Sequence, residues 1–142
     1  MSMRKEIKVA IAGVGNCCQA FLEGIEFYRQ HPDDTRGLMN LEIDGYRVTD
    51  IVPVAAFDIH AGKVGKDLSE AIYVHPNTAY RYPGVNVDSL GVNVEMGPVL
   101  DGNPPHLANF VPTADIGSAN VAEILKSSGA EMLLNFIPTE SH

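Results

Sequence analysis

Cysteine is scarce in this chain: among 142 residues only Cys17 and Cys18 are cysteine, and they are adjacent. With no third cysteine to pair with, they form neither a disulfide framework nor a zinc knuckle. A reducing, cytoplasmic compartment is the simple expectation. Basic charge is also in short supply. Ten Lys and Arg stand against 18 Asp and Glu, for a net charge of −8. That balance argues against a broad phosphate-backbone surface, so no nucleic-acid partner is expected. No apolar run approaches the roughly 18 residues of a membrane span, so no membrane partner is expected either. The start, Met1 to Glu6, has a small basic cluster but no apolar targeting core, which does not support a secretory leader. Five histidines (His31, His60, His75, His106 and His142) are scattered without metal-ligand spacing, and no metal site is expected.

What is present suits one domain over residues 1–142. The hydrophobic fraction is 45%, and apolar periodic segments run through most of the chain, unlike a disordered one. Ile7 to Ala12 is short, apolar and β-branched, and reads as a strand. It ends at Gly13-Val14-Gly15. Asn16 then leads into a helix over Cys17–Arg29, with Cys18, Phe21, Leu22, Ile25 and Tyr28 at helical spacing. His31-Pro32 stops it. Leu38 to Asp50 reads as a hairpin insertion, since Asp44-Gly45 separates two alternating runs and such a turn needs positive φ. Ile51 to Phe57 is a second strand ending at Asp58, with Pro53 making its first part edge-like or irregular. Asp67 to Tyr73 reads as a short helix. Val92, Val94 and Met96 alternate as a strand, and Phe110-Val111 suggests part of another. Ile116, Ala119, Val121, Ile124 and Leu125 suggest a helix ending at Ser127-Ser128-Gly129. Glu131 to Ile137 is the final strand. This order fits an open α/β sheet.

The loop Gly13-Val14-Gly15-Asn16-Cys17-Cys18 follows a strand and opens a helix. The first glycine permits the tight turn. The second lets backbone approach a pyrophosphate, whose charge faces free N–H groups at the helix start. Cys18 stands where a third glycine or alanine is usual, and a small residue still allows close packing. A ligand-free tight turn is the bland alternative. Cys17 and Cys18 could suggest thiol chemistry, but with no activating partner nearby they read as packing or backbone placement. Asp58 lies 43 residues beyond Gly15, against roughly 20 in the usual fingerprint. The insertion accounts for the excess. An acid there accepts from ribose hydroxyls and repels a 2′-phosphate, which favours NAD over NADP. A strand-end turn aspartate is the alternative. Asp67 reads first as a helix cap. The final strand is expected beside the first, bringing Asn135 to Pro138 to the same crevice as Gly13 and Gly15.

These residues, with several further blocks, carry a resemblance. Val9 to Cys17, Gly24 to Tyr28, Gly37-Leu38-Met39, Val54 to Ile59, Lys63 to Ile72, Gly97 to Gly102 and Asn135 to Pro138 cover nearly the whole chain. The chain resembles the N-terminal, NAD-binding portion of the myo-inositol-1-phosphate synthase family, of the bacterial and archaeal type. The resemblance implies a Rossmann-like open parallel sheet and NAD as cofactor. It implies cofactor contacts at Gly13, Gly15, Asn16, Cys17, Cys18, Asp58, Asp67, Ser128 and Asn135. The family cyclises D-glucose 6-phosphate to 1D-myo-inositol 3-phosphate. NAD+ takes hydride from C5, C6 closes onto the C1 aldehyde through an enol or enolate, and the hydride returns.

Family enzymes are well over twice as long. Their second α/β domain closes over the substrate and mediates assembly, as a homotetramer in the family. Their catalytic lysines lie beyond position 142, so no residue here is assigned catalysis. Lys63 and Lys66 are the obvious basic pair, expected on the adenosine side and given no chemistry. The family often has an acid where His60 stands, a threonine where Val99 stands and a glycine near Glu140. Three expectations follow. The chain is one part of such a synthase, with the C-terminal half in the same precursor or in a second chain. Or it is a stand-alone NAD-binding or regulatory module. A small dehydrogenase is disfavoured by the lack of a Tyr-Lys or His-Asp arrangement. If the chain is complete at His142, the sheet is incomplete at its C-terminal end, and the last strand needs cover or a partner.

Overall fold

The computed structural model describes residues 5–100 and 103–138. Four strands form one sheet: β1 (Ile7–Ala12), β2 (Ile51–Asp58), β3 (Val94–Met96) and β4 (Met132–Asn135). All pairings are parallel, in the order β3-β2-β1-β4. Three α-helices connect them: α1 (Asn16–Gln30), α2 (Leu68–Ala71) and α3 (Val121–Ser128). The strand order reverses between β1 and β4, and that is where an open α/β sheet forms its crevice. The expected placement of the last strand beside the first is therefore met.

One face of the sheet carries the larger core. Ile11, Ala56 and Val94 point into it and meet Cys18, Leu22 and Ile25 of α1 with Leu68 and Ala71 of α2 and Ile72 just after it. The opposite face presents Ala10, Ala55 and Phe57 to Val121, Ile124 and Leu125 of α3. Alternation along β2 produces this split, since adjacent residues in a strand point to opposite faces. Pro53 lies where the sequence allows it. β3 pairs only with Ala56 to Asp58, so Pro53 has β1 alone beside it. The register with β1 slips by one residue there, from Val9↔Pro53 to Ala10↔Ala55, as at a β-bulge.

Several elements differ from expectation. The Asp44-Gly45 turn forms, with φ of 49° and 81°, but the hairpin is reduced to a single Ile43↔Tyr46 bridge. Leu41 and Ile43 are exposed, so no packed face holds the strands together beyond that pair. Val48–Asp50 is a 3-10 turn instead. Phe110-Val111 is not a strand. Pro105–Leu107 begins a 3-10 turn, and the N–H groups of Phe110 and Val111 both go to Leu107 O. Ile116 and Ala119 precede α3 rather than lying in it. Ala119 N–H is taken by Met96 O at 2.8 Å, and Asn120 caps the helix by accepting from Glu123 N–H at 3.2 Å. Gly129, with φ of 69°, ends α3 at the expected place. The final strand is shorter than 131–137. Asp101-Gly102 and the Glu140 position lie outside the described residues.

Candidate functional site

The glycine loop sits at the C-terminal end of β1, in the switch-point crevice. Its two glycines do different things. Gly13 has φ of 96°, and a Cβ there would come within 2.8 Å of the Phe136 carbonyl carbon and oxygen. It is needed for close approach to the end of β4. A Cβ on Gly15 would meet nothing within 4 Å. That open space lies at the start of α1, where Gly15 is the N-cap and no side chain caps the helix. Uncapped helical N–H groups beside an open backbone suit an anion. This fits a pyrophosphate.

The loop is held by side chains from the end of β2, the segment that follows it and the start of α1. Asp58 Oδ2 accepts from Val14 N–H at 2.7 Å. Its Oδ1 accepts from the Ile59 and His60 N–H groups, each at 2.8 Å. A carboxylate offers about four lone-pair directions, so room for a hydroxyl donor is left. Val14 O accepts from Lys63 Nζ at 2.7 Å and from Asn77 Nδ2 at 3.1 Å. Lys63 Nζ also donates to Asn77 Oδ1 at 2.8 Å. Both polar groups of the Val14 backbone are thus held by the protein itself. Asn16 Oδ1 accepts from the Thr78 and Ala79 N–H groups at 2.6 and 2.9 Å, and Gln19 Nε2 donates to Ala79 O at 3.1 Å.

Electrostatics under the loop follow from burial. Lys63 is only 4% exposed. Loss of water lowers its pKa, with Asp58 pulling the other way. His60 is buried as well, and burial, then the Lys63 charge, lower its pKa. Its Nδ1 accepts from Gly62 N–H at 2.9 Å. Cys18 is buried in the core, and desolvation with the Asp58 charge pushes its thiol up to about 12. It packs in the core. Cys17, one residue earlier, is exposed.

The remaining candidates separate. Asn135 ends β4 opposite Ala12 and borders the crevice, with Oδ1 accepting from Ile137 N–H at 3.1 Å. Asp67 caps α2, as the residue pattern indicates. Its Oδ1 accepts from Ser69 N–H at 2.9 Å and from Leu90 N–H at 3.2 Å, and its Oδ2 accepts from Gly91 N–H at 2.8 Å. Burial alone would raise its pKa, but the Ser69, Leu90 and Ser89 hydrogen bonds outweigh burial and hold it at about 2. Ser128 stands apart from the glycine loop. α3 ends at the N-terminal edge of the sheet, where Glu131 N–H donates to Lys8 O at 2.8 Å. Lys8 to Gly13 is about 16 Å of strand at ~3.3 Å per residue. Ser128 Oγ donates to Leu125 O instead. It therefore lies at the opposite end of β1 from the glycine loop.

Sequence reasoning missed Asn77 and Gln19 and left Lys63 without a role. The available signal was Lys63 between Gly62 and Gly65, directly after the acid-bearing strand. Two surface clefts of about 180 and 350 Å³ flank the outer side of α1, beside Arg47 and Tyr82 respectively. Neither contains a candidate residue. No helix among the described residues is long and apolar enough to cross a membrane.

A parallel 3-2-1-4 sheet, a glycine turn at the switch point and an acid closing β2 define a Rossmann-like α/β domain. No family model matches the chain. Over nearly all its own length the chain is similar to inositol-3-phosphate synthases. It is 38% identical to the Mycolicibacterium smegmatis inositol-3-phosphate synthase over 138 residues, which is 96% of this chain and 38% of that protein. It is 38% identical to the Corynebacterium glutamicum inositol-3-phosphate synthase over 137 residues, 95% of this chain and 37% of that one. The chain therefore spans under two-fifths of these relatives' length. The crystal structure of Ari2 superposes with a TM-score of 0.75 at 33% identity, over 94% of this chain and 38% of that one. A myo-inositol-1-phosphate synthase-related protein from Thermotoga maritima shares the fold, with a TM-score of 0.64 at 21% identity, over 93% of this chain and 34% of that one.

Proposed function

We propose that this chain is the NAD-binding part of an inositol-3-phosphate synthase, an isomerase that recycles its cofactor while cyclising D-glucose 6-phosphate. The observation that carries the reading is the pairing of an open Gly15 helix start with Asp58, whose carboxylate is bonded to Val14 of the same loop. The loop amides from Asn16 to Cys18 would hold the pyrophosphate. Asp58 would take a ribose hydroxyl, and its charge would repel a 2′-phosphate. Asn135 would border the nicotinamide side. NAD supplies a reversible hydride acceptor in such an enzyme. This chain's residues supply binding and orientation. Residues for proton transfer and for the substrate phosphate would come from the further length that the relatives have, in the same polypeptide or in a second one. A tetrameric assembly and a cytoplasmic location go with the same reading, the latter in keeping with two unpaired cysteines.

Calorimetric titration with NAD and with NADP tests it. NAD should bind, with NADP at least about tenfold weaker. Asp58→Asn should narrow that gap, because a bidentate charged acceptor is replaced by a neutral amide. Intact and native mass of the purified protein, followed by a glucose 6-phosphate conversion assay, tests the enzyme reading. NAD binding without conversion by any co-purifying assembly would favour a stand-alone binding module. Binding of neither nucleotide would overturn the proposal.

A further inference from the structure

Lys63 is an unusual core residue. Its ammonium is buried beneath the glycine loop, and its two hydrogen-bond acceptors, Val14 O and Asn77 Oδ1, are both neutral. Among the described residues it forms no ion pair within 4 Å. A buried ammonium whose direct partners are neutral is costly, and the Asp58 charge offsets only part of the loss of water. The open side of the same loop is where a polyanion would sit, above Gly15 and the first turn of α1. Asp58 occupies the ribose end and contributes the opposite sign. The loop segment Gly13 to Cys18 carries no basic side chain of its own.

We infer that Lys63 is a positioning residue for the cofactor loop: it fixes Val14 from beneath and supplies the positive charge that the loop lacks, so that pyrophosphate-bearing ligands depend on it. This rests on the NAD reading above and adds to it a residue outside the glycine fingerprint. Asn77 completes the clasp, since its amide bonds Val14 O and Ile72 O while its oxygen receives the lysine.

The test uses Lys63→Met, which keeps an unbranched apolar stem out to Cε and removes the ammonium, and Asn77→Ala, which removes the clasp from its more exposed side. NAD, ADP and adenosine are titrated against each variant and the unsubstituted protein, with protein amide NMR as the readout. Lys63→Met should weaken NAD and ADP about tenfold and adenosine less than about twofold, because only the first two carry a pyrophosphate. Asn77→Ala should weaken the same two ligands by a smaller factor. A merely structural lysine would weaken all three ligands equally, and that result, or no change in any, overturns the inference. Amide exchange in the ligand-free protein is a separate readout. Gly15 and Asn16 should exchange faster in both variants, and unchanged exchange overturns the positioning role whatever the ligand does. If the unsubstituted protein binds none of the ligands, the NAD reading fails, and exchange still decides on Lys63. Should Lys63→Met not fold, Asn77→Ala decides by the same criteria.

Discussion

On one face of the sheet, Ile11 and Ala56 lie fully buried under α1 and α2. On the other, α3 buries none of its own residues, and Leu133 of β4 is 52% exposed. The site straddles these two regions. Its Asp58 side is tied down by buried hydrogen bonds from Val14, Lys63 and Asn77. Its Asn135 side rests on a four-residue edge strand. The loop and Asp58 are therefore pre-organised within this chain, while the far wall of the crevice has the thinner support. Affinity for the adenosine and pyrophosphate portions should be insensitive to the β4 side.

Core truncation should divide the two regions most sharply. Leu68→Ala, on the covered face, should cost about 2–5 kcal/mol in urea unfolding. Leu133→Ala, on the exposed edge, should stay within about 0.5 kcal/mol. Equal costs would mean that β4 is better covered than its exposure indicates. The two loop glycines sharpen the contrast next. Gly13→Ala forces a Cβ onto the Phe136 backbone and holds an alanine at positive φ, which should cost about 1–3 kcal/mol of stability. Gly15→Ala meets no protein atom, so stability should fall by at most about 1 kcal/mol. Its effect should appear in weaker nucleotide binding. The opposite pattern would reverse the roles given to the two glycines.

Smaller effects follow from protonation. Asp67 titrates at about 2 when folded, against an ordinary value of 3.8. A depressed carboxylate stabilises the fold above its unfolded pKa and loses that contribution as pH falls through the folded one. Asp67→Asn should therefore flatten the loss of stability between about pH 4 and pH 2, measured by urea unfolding. An unchanged slope would mean that Asp67 is not held by its Ser69 and Leu90 bonds. The cysteines provide the mildest test. A thiol reagent at pH 8 should modify Cys17 in the native protein and reach Cys18 only on unfolding, since Cys18 is buried with its pKa near 12. Rapid labelling of both would show that α1 does not pack as described.

Much of this was readable from the chain because the signals were local. β1, the helix after the glycine loop, the Asp44-Gly45 turn and the Asp67 cap each depend on residues within a few positions. Asp58 was legible because the acid ends a recognisable strand. The errors share a different cause. Ile116 and Ala119 have helical spacing, but a hydrogen bond to Met96, far away in sequence, takes them out of the helix. Nothing local shows which end of the sheet Ser128 occupies; the parallel direction of β4 puts it opposite the glycine loop. Lys63 gave no periodic signal of burial. Its role depends on a loop 49 positions away.

The most direct test of cofactor binding is an NMR titration of the chain with NAD, following backbone amides. The expected result is saturable shifts at Gly13 to Gln19 and at Asp58 to His60, with Ser127 to Glu131 unmoved. Shifts centred on Ser128, or none in the glycine loop at saturating NAD, would contradict the placement of the cofactor at the β1–β4 crevice.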